Sequence, residues 1–491
     1  MRGDERAARE TARKLIGALP ERVRPALGWR EVDLTAAAEH LLYAAMLRPD
    51  SAAEARLTAI RSVARAASAG AAALRHGRAI RTSTRLDVMV LVTQPIHATL
   101  FAPIGRALME RGAHALVVDA ETRSGRSVPG AQGRMAESLR PSAIPSLLLH
   151  AITTASLFAK PPDSWSTLLP RRDAHRLWRL LARGLPILAL DSARIDGLLS
   201  RYRPRVVACF SESGQLARLG PAVGHTHKIP VVDLPHAEAA DPWGSAGMGY
   251  DEVAVYGPRA AETMRMAGVA AERIYEVGPL RHDALVSAAA TEPVEDPRRV
   301  LFAAQPMDED HPALRSGVQR AAMEAAIAAT AQLQPAELII VPHPTQEHQA
   351  VEDLLGSIER PKGTVARVER SVSLHAVLPH AWLLVTASSQ SVFDAVLAGV
   401  PAMTVTPTGV VDPVTFAQDG IALGVRSAEA AAAASARLLE RAARDDLLAR
   451  QRAALGDRIG PLDGHAAERA ATWLLEVGAA GWRGPTTIGR L

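Results

Sequence analysis

The sequence predicts an α/β protein made of two successive domains, each built on a parallel β-sheet, behind an N-terminal helical extension. Three observations predict this organisation. The chain has 491 residues, which exceeds what one hydrophobic core usually supports. Continuous apolar runs of strand length alternate with segments of helical spacing, as expected for strands covered by helices on both faces. The alternation begins afresh after a stretch rich in proline and acidic residues at 286–299.

The first part of the chain supplies the extension and the first domain. Residues 1–84 have helical spacing and no strand signal, and the run DVMVLV at 87–92 then predicts a buried strand. A loop, TQPIHAT at 93–99, leads to a helix that ends at Gly112 and to a second strand, HALVVD. Strand, helix and strand with short joints predict a right-handed βαβ unit, and the pattern continues to about residue 285.

The second domain is expected at 300–463, after the linker at 286–299. Its predicted strands end in VLFAAQP, LIIVPHP, WLLVTASSQ and PAMTVTP, and a last helix with a tail covers 464–491. Parallel sheets of this kind bind ligands in the crevice at the carboxyl ends of their strands. Two Rossmann-like domains facing each other would form one cleft.

Composition restricts the class of function. Hydrophobic residues make up 48% and charged residues 22%, which is typical of soluble globular proteins. The net charge is only +4 and no basic block occurs, so nucleic acid is not an expected partner. The single cysteine, Cys209, excludes a disulfide framework and favours a reducing, cytoplasmic location. The uncharged run between Arg140 and Lys160 contains enough polar residues to favour a buried or interfacial helix over a membrane span.

His343 lies between Pro342 and Pro344, directly after a predicted strand. Because prolines restrict the backbone, the imidazole would be held where a ligand is expected to bind. The sequence therefore favours a ligand-contacting histidine. A loop histidine bonded to a nearby carbonyl is the alternative.

A second feature, TASSQSVFDAVLAGVP at 386–401, follows a neighbouring strand. Ser388 and Ser389 are expected at the N-cap of a helix that Gly399 ends. A helix N-terminus with two hydroxyl groups is suited to a phosphate, and Asp394, one turn further, could accept hydrogen bonds from a ribose. Capping alone would also account for the serines.

Polar residues recur at predicted strand ends in the first domain. His236 follows a strand and a proline, Glu238 and Asp241 lie close to it in sequence, and Ser211, Glu212, Ser213 and His97 follow other strands.

Metal chemistry is not expected. Asp308-Glu309-Asp310 is better explained as a solvated loop, and His225 and His227 provide only two zinc ligands.

Several segments together resemble one family. The segments are LPHA (234–237), VPHPTQEH (341–348), VTASSQSVFDAVLAGVPAMTV (385–405) and LDGHAAERAATWLLE (462–476). They resemble GT-B fold transferases of the bacterial capsule-polysaccharide and polysialyltransferase-like group, and the related CDP-glycerol glycerophosphotransferases of teichoic acid synthesis. The resemblance covers roughly residues 87–477.

The resemblance implies a role for each matching position. A CMP-, CDP- or UDP-linked donor would be bound by His343, Pro344, Ser388, Ser389 and Ser391, with Asp394 at the ribose and no cofactor or metal. His343 would stabilise the leaving nucleotide. His236 would act as the base toward a glycan or other hydroxyl acceptor, although Ala237 replaces the family's glycine. Glu212 is the reserve base.

The expected activity is glycosyl transfer in bacterial capsule or cell-envelope synthesis. A CDP-polyol phosphotransferase of teichoic-acid type and a catalytically silent GT-B binding module remain open alternatives. A UDP-N-acetylglucosamine 2-epimerase-like isomerase is disfavoured, since Ser-Gln-Ser-Val-Phe-Asp replaces its glutamate-rich helix start. Peripheral association with the inner face of the membrane also stays open, because such transferases act near lipid-linked acceptors.

Overall fold

The described residues of the chain fold into two compact units. The structure, a computed structural model, describes residues 3–47, 86–120, 128–158, 161–210, 215–238, 249–288, 295–305, 317–343, 346–370, 374–410, 412 and 414–484. The first unit comprises Met1–Tyr256, Ala260–Leu280 and Ala466–Leu491, and the second comprises Gly257–Arg259 and Arg281–His465.

Strands and helices alternate along the chain. The strands are β1 Gly28–Trp29, β2 Val32–Asp33, β3 Val88–Val92, β4 Ala115–Asp119, β5 Gly133–Arg134, β6 Val206–Phe210, β7 Val231–Leu234, β8 Glu252–Val255, β9 Ile274–Glu276, β10 Arg298–Ala303, β11 Ala336–Val341, β12 Val365–Val368, β13 Leu383–Thr386, β14 Ala402–Val405 and β15 Leu423–Val425. The α-helices are α1 Gly3–Gly17, α2 Thr35–Leu47, α3 Pro95–Glu110, α4 Ile144–Leu157, α5 Asp163–Leu168, α6 Arg171–Tyr202, α7 Leu216–Thr226, α8 Pro258–Met266, α9 Asp283–Ser287, α10 Val318–Gln332, α11 His348–Gly356, α12 Leu374–Val377, α13 Ser391–Leu397, α14 Ala428–Arg437, α15 Arg441–Ile459 and α16 Ala466–Ala480. Short 3₁₀ helices cover Glu21–Leu27, Met135–Glu137, Pro141–Ala143, Ala271–Arg273, Leu280–His282 and Leu378–His380.

The two large sheets are parallel and follow the same strand order. The first sheet has seven strands in the order β5-β4-β3-β6-β7-β8-β9, and the second has six in the order β12-β11-β10-β13-β14-β15. In each of these sheets the strand that comes first in the chain lies in the interior, with Val88 opposite Val206 in one and Phe302 opposite Val385 in the other. This is the doubly wound Rossmann order, in which the winding reverses between β3 and β6 and between β10 and β13. The prediction of two parallel-sheet α/β domains is confirmed.

The apolar strands are buried on both faces, as their sequences predict. In β3 every residue is buried, and alternate side chains pack into different cores. Met89 and Leu91 join the core that contains Leu15 and Leu42 of the N-terminal helices. Val88, Val90 and Val92 join a second core with Trp473 and Leu474 of α16, so the last long helix packs on the first sheet.

The N-terminal helices are part of the first unit. The indole N–H of Trp165 donates a hydrogen bond to the Leu15 carbonyl of α1 at 2.9 Å, and that of Trp178 donates to the Phe158 carbonyl at 2.9 Å. The two indole rings meet edge to face with centroids 4.9 Å apart. The hydrogen bonds satisfy polar groups in a core that would otherwise be apolar. Residues 48–84 of the predicted extension lie outside the described residues.

Several elements differ from the sequence predictions. Residues 95–99 of the predicted loop are helical, because α3 begins at Pro95, a residue that fits the first turn of a helix. The antiparallel hairpin β1–β2 and the strands β5 and β15 were not predicted, since each is short and pairs with a neighbour that its own sequence does not reveal.

The uncharged run after Arg140 forms α4, which is partly buried. Leu147 and Ala151 pack inward, while Leu149 and Ile152 are 66% and 61% exposed. Within the part of the chain that the structure describes, no helix is long and apolar enough to cross a bilayer.

The tryptophan contact to α1 gives a stability prediction. Trp165→Phe keeps the aromatic ring and removes the N–H, so the Leu15 carbonyl loses its buried donor. We expect the free energy of unfolding to fall by about 1–3 kcal/mol and the amides of α1 to exchange faster with solvent. Hydrogen exchange resolved by mass spectrometry measures this. Leu149→Ala, at an exposed position, should leave exchange in α1 unchanged, and equal exchange in both variants would contradict the prediction.

Candidate functional site

The reversal of strand order locates the candidate site in each unit. Where winding changes direction, the helices that follow the two adjacent strands go to opposite faces of the sheet and leave a crevice at the carboxyl ends. In the second unit, Gln305 and Ser388 follow the adjacent strands β10 and β13, and His343 follows β11. In the first unit, Thr93 follows β3 and Phe210 ends β6.

In the second unit, glutamine side chains connect the strand ends. The backbone N–H of Ser388 donates to Gln305 Oε1 at 2.9 Å, and the backbone N–H of Gln305 donates to Gln319 Oε1 at 3.2 Å. Gln346 Nε2 also donates to Gln319 Oε1, at 3.0 Å, and Gln346 Oε1 accepts from the backbone N–H of His343 at 3.1 Å. The structure thus brings His343 and Ser388 into one hydrogen-bonded arrangement, as their positions after neighbouring strands suggest.

His343 is held by its backbone and exposed at its side chain. Its carbonyl accepts from the Gln346 N–H at 2.8 Å, so both backbone polar groups bond to Gln346. The residue is exposed, so a ligand can reach its ring. Pro344, the predicted binding residue that follows His343 in sequence, lies outside the described residues.

The serine segment begins its helix later than expected. Helix α13 starts at Ser391, and Gln390 occupies the N-cap position. Ser389 Oγ accepts from the Ser391 N–H at 3.2 Å and from the Ser391 hydroxyl at 2.7 Å. Ser389 therefore caps this helix from two residues upstream, because its hydroxyl still reaches an N–H of the first turn. Ser388 and Ser389 are both half-buried, and Ser391 is buried.

Asp394 is turned into the second unit. Its carboxylate is 2% exposed, with Oδ1 3.0 Å from His282 Nε2 and 3.2 Å from His375 Nε2, and with Oδ2 3.7 Å from Arg281. Burial opposes ionisation, but the hydrogen bonds from both histidines and the charge of Arg281 outweigh it and hold the pKa of the carboxyl well below its usual range. The predicted ribose contact would require one of these partners to be exchanged. His375, 44% exposed, and Arg281, 36% exposed, are the accessible members of the group.

In the first unit, two histidines meet at the carboxyl edge of the sheet. His97, in the first turn of α3, and His236, after β7, have ring centroids 5.9 Å apart. The His97 ring is buried and stacks on Phe210 at 4.8 Å. The Thr93 backbone N–H donates to His97 Nδ1 at 3.3 Å, so the neutral ring carries its proton on Nε2. His236 is half-buried, and its carbonyl accepts from the Tyr256 hydroxyl at 3.4 Å.

The structure describes some of the other predicted site residues of the first unit and does not describe the rest. Glu238 is buried, next to the half-buried Ala237. Glu212, with Ser211 and Ser213, lies outside the described residues, and so does Asp241. The reserve assignment of Glu212 as a base stays a prediction.

Among the described residues, no group of three His, Cys, Asp or Glu side chains is arranged to hold a metal ion. His225 and His227 instead bond to different carboxylates, Asp251 at 3.1 Å and Asp196 at 2.9 Å. Asp308-Glu309-Asp310 lies outside the described residues.

Sequence analysis missed two parts of this geometry. No motif assigns a role to the glutamines at 305, 319 and 346. Gln305 lies within three residues of a strand end and Gln346 lies within three residues of His343, and these positions could have identified both. His282 and His375 contact Asp394 from other segments of the chain, and no sequence pattern predicts these contacts.

Comparisons with known proteins extend these observations. The chain matches no protein-family model and no curated protein sequence. Among solved structures it resembles a Listeria monocytogenes protein assigned as a UDP-N-acetylglucosamine 2-epimerase, with a TM-score of 0.50, 13% identity, and coverage of 78% of this chain and 94% of that one. A second UDP-N-acetylglucosamine 2-epimerase has a TM-score of 0.50 at 13% identity, covering 82% of this chain and 99% of that one. The calicheamicin glycosyltransferase CalG4 has a TM-score of 0.46 at 16% identity, with 81% and 99% covered.

The two likenesses with a TM-score of 0.50 identify the fold, which is of the GT-B type with two Rossmann-like parallel-sheet units. At such low identity they show neither the family nor the reaction of this chain, because one fold supports many functions. The resemblance to capsule-polysaccharide and polysialyltransferase-like proteins stays a prediction at the level of the family.

The buried carboxylate gives a pH-dependent prediction. Asp394→Asn should lower the free energy of unfolding at pH 5 by on the order of 3 kcal/mol, because it removes a buried charge that His282, His375 and Arg281 surround. The folded-state pKa of Asp394 is lowered, so its contribution is full above the unfolded value of about 3.9 and is lost as the pH falls toward the folded value. The gap between wild type and variant should therefore narrow below about pH 4.

Urea unfolding at several pH values measures this gap. Asp353→Asn is the matched control, since Asp353 is exposed and accepts a hydrogen bond from Gln349. A gap for Asp394→Asn that stayed constant from pH 5 to pH 3 would show that its charge does not stabilise the fold.

Proposed function

We propose that this protein is a nucleotide-sugar-dependent glycosyltransferase. The second unit would bind the donor phosphate and the first would activate the acceptor hydroxyl. The observation that carries the proposal is the hydrogen-bonded connection of His343 and Ser388 at the point where the second sheet reverses its winding.

The donor side of the proposal depends on preorganised hydrogen-bond donors. An exposed imidazole and two nearby hydroxyl groups can donate hydrogen bonds to phosphate oxygens, and such bonds to a charged acceptor are the stronger kind. Since their backbones are already fixed, little reorganisation would accompany the development of charge on a leaving nucleotide. His343, Ser388 and Ser389 are the residues that we assign to this role, and Pro344 and Ser391 would support their turns.

The acceptor side depends on the histidine pair. In the proposed reaction the acceptor oxygen forms a bond to the anomeric carbon while the bond from that carbon to the phosphate oxygen breaks. The nucleotide leaves with the electron pair, and His236 takes the proton of the acceptor hydroxyl as general base. His97 is adjacent, and its tautomer is fixed by Thr93, so it is the residue that would orient His236.

The donor class can be narrowed by experiment. Two solved structures of the same fold are described as UDP-N-acetylglucosamine 2-epimerases, which supports a sugar nucleotide as ligand and makes UDP sugars the first probes. Transfer is favoured over epimerisation because the segment that leads into α13 and forms its first turn reads Ser-Gln-Ser-Val-Phe-Asp, without the glutamates of the epimerases. Transfer of a polyol phosphate from a CDP donor would use the same residues, so CDP-glycerol belongs in the panel.

Nucleotide binding tests the donor site. We expect one of CMP, CDP, UMP, UDP and GDP to bind in calorimetry. His343→Ala, and Ser388→Ala with Ser389→Ala, should each weaken that binding by about 10- to 100-fold, the loss expected for a hydrogen bond to a charged group. His348→Ala is the matched control, because His348 is exposed on the same stretch of chain. No binding by the wild type, or equal binding by the variants, would overturn the proposed donor site.

Turnover tests the base. His236→Ala should lower kcat for release of nucleotide from its sugar donor by about 10²- to 10⁴-fold while leaving nucleotide affinity unchanged, because a general base acts in the chemical step. His175→Ala, at an exposed position on α6, should have no effect. Unchanged kcat in His236→Ala would remove this residue from the mechanism, and conversion of the donor to its 2-epimer without release of nucleotide would identify an isomerase.

A further inference from the structure

The glutamine connection has a fixed direction at each hydrogen bond. Backbone N–H groups can only donate, so the atoms facing Ser388 N and His343 N are the amide oxygens of Gln305 and Gln346. The Gln346 amide nitrogen is then the atom that faces Gln319 Oε1. Gln319 Oε1 receives two donors, Gln346 Nε2 and the backbone N–H of Gln305. The amide orientations are therefore determined by the network itself.

Gln319 is the centre of the arrangement and is rigidly placed. It lies in the first turn of α10, it is only 8% exposed, and its neighbours Val318, Ala322 and Met323 are buried. A buried amide without partners would be costly, so its two accepted hydrogen bonds stabilise this placement. The ends of β10, β11 and β13 are thereby fixed to one helix.

We infer that Gln305, Gln319 and Gln346 form a positioning relay, which sets the separation between His343 and Ser388 so that one phosphate group can contact both. The inference rests on the proposed function for its ligand, and it goes beyond it by assigning three residues that would not touch the substrate. Gln346 acts through His343, and Gln305 acts through Ser388. Gln319 couples the two.

The anionic ligand explains why the relay consists of uncharged amides. A glutamate at position 319 could accept the same two hydrogen bonds, since both use a side-chain oxygen. It would, however, add a negative charge beside an anionic phosphate. An amide satisfies the same donors without that repulsion, so Gln319→Glu separates the electrostatic effect of the residue from its structural effect.

Calorimetry with UDP and with inorganic pyrophosphate tests the relay on the full chain. We expect Gln346→Ala to weaken binding of both by about tenfold, the loss of one preorganised charge-assisted contact, with a thermal unfolding midpoint close to that of the wild type. Gln319→Glu should weaken the binding of both ligands. The loss of affinity should be larger at low salt than at high salt, because salt screens the added charge. Gln349→Ala is the matched control, since Gln349 lies exposed on α11 and bonds to Asp353.

A double-mutant comparison separates positioning from general stability. If Gln346 acts through His343, then Gln346→Ala combined with His343→Ala should bind no more weakly than His343→Ala alone. Additive losses, or a loss in Gln346→Ala that tracks only a lowered unfolding midpoint, would overturn the relay.

The remaining outcomes distinguish the relay from the proposed function. Binding of UDP by the wild type with unchanged affinity in Gln346→Ala would overturn the relay and leave the function standing. Binding of pyrophosphate but of no nucleotide, with the loss in Gln346→Ala intact, would support the relay and overturn the function. Binding of neither pyrophosphate nor any of the five nucleotides by the wild type would overturn both.

Discussion

Parallel strand pairing is the constraint on which the rest of this structure depends. Because all strands of a sheet run in one direction, every connection must return across a face, and the helices that do so bury both faces. The strand interiors are consequently apolar, as in β3 and β13, and polar chemistry is confined to the edges where strands end. With all carboxyl ends at one edge, reversal of the winding beside β3 and β10 decides where each unit can hold a ligand.

Polar groups that are buried near these edges are compensated by specific partners. Asp394 remains ionised inside the second unit because two histidines and an arginine surround it. Arg458, 6% exposed, donates to the Val414 carbonyl at 2.9 Å, pairs with Asp419 and lies over the Phe416 ring at 5.0 Å. It thereby anchors part of the loop that follows β14, next to the strand that carries the serines. Such contacts give irregular segments at the carboxyl edge defined positions, which a preorganised site requires.

The two units offer different chemistry at equivalent positions. The second unit presents amides, hydroxyl groups and the exposed imidazole of His343, a set that suits an anion. The first presents a pair of neighbouring histidines, one of which stacks on Phe210, a set that suits proton transfer. Since the fold alone supports many reactions, the proposal of glycosyl transfer depends on this division and on the particular side chains that produce it.

The sequence by itself determined the long buried strands, the fold class and several site positions. Apolar runs such as VMVLV and LLVT predicted buried parallel strands, because burial on both faces leaves a local pattern, and His343 and Ser388 were found because they directly follow such runs. Only the tertiary structure decided which side chains meet. Long-range pairing places β10 between β11 and β13, which brings Gln319 between two strand ends, sets His97 beside His236 and turns Asp394 toward His282. Those contacts join residues far apart in the chain, and their geometry depends on strand order and helix packing, which leave no local pattern in the sequence.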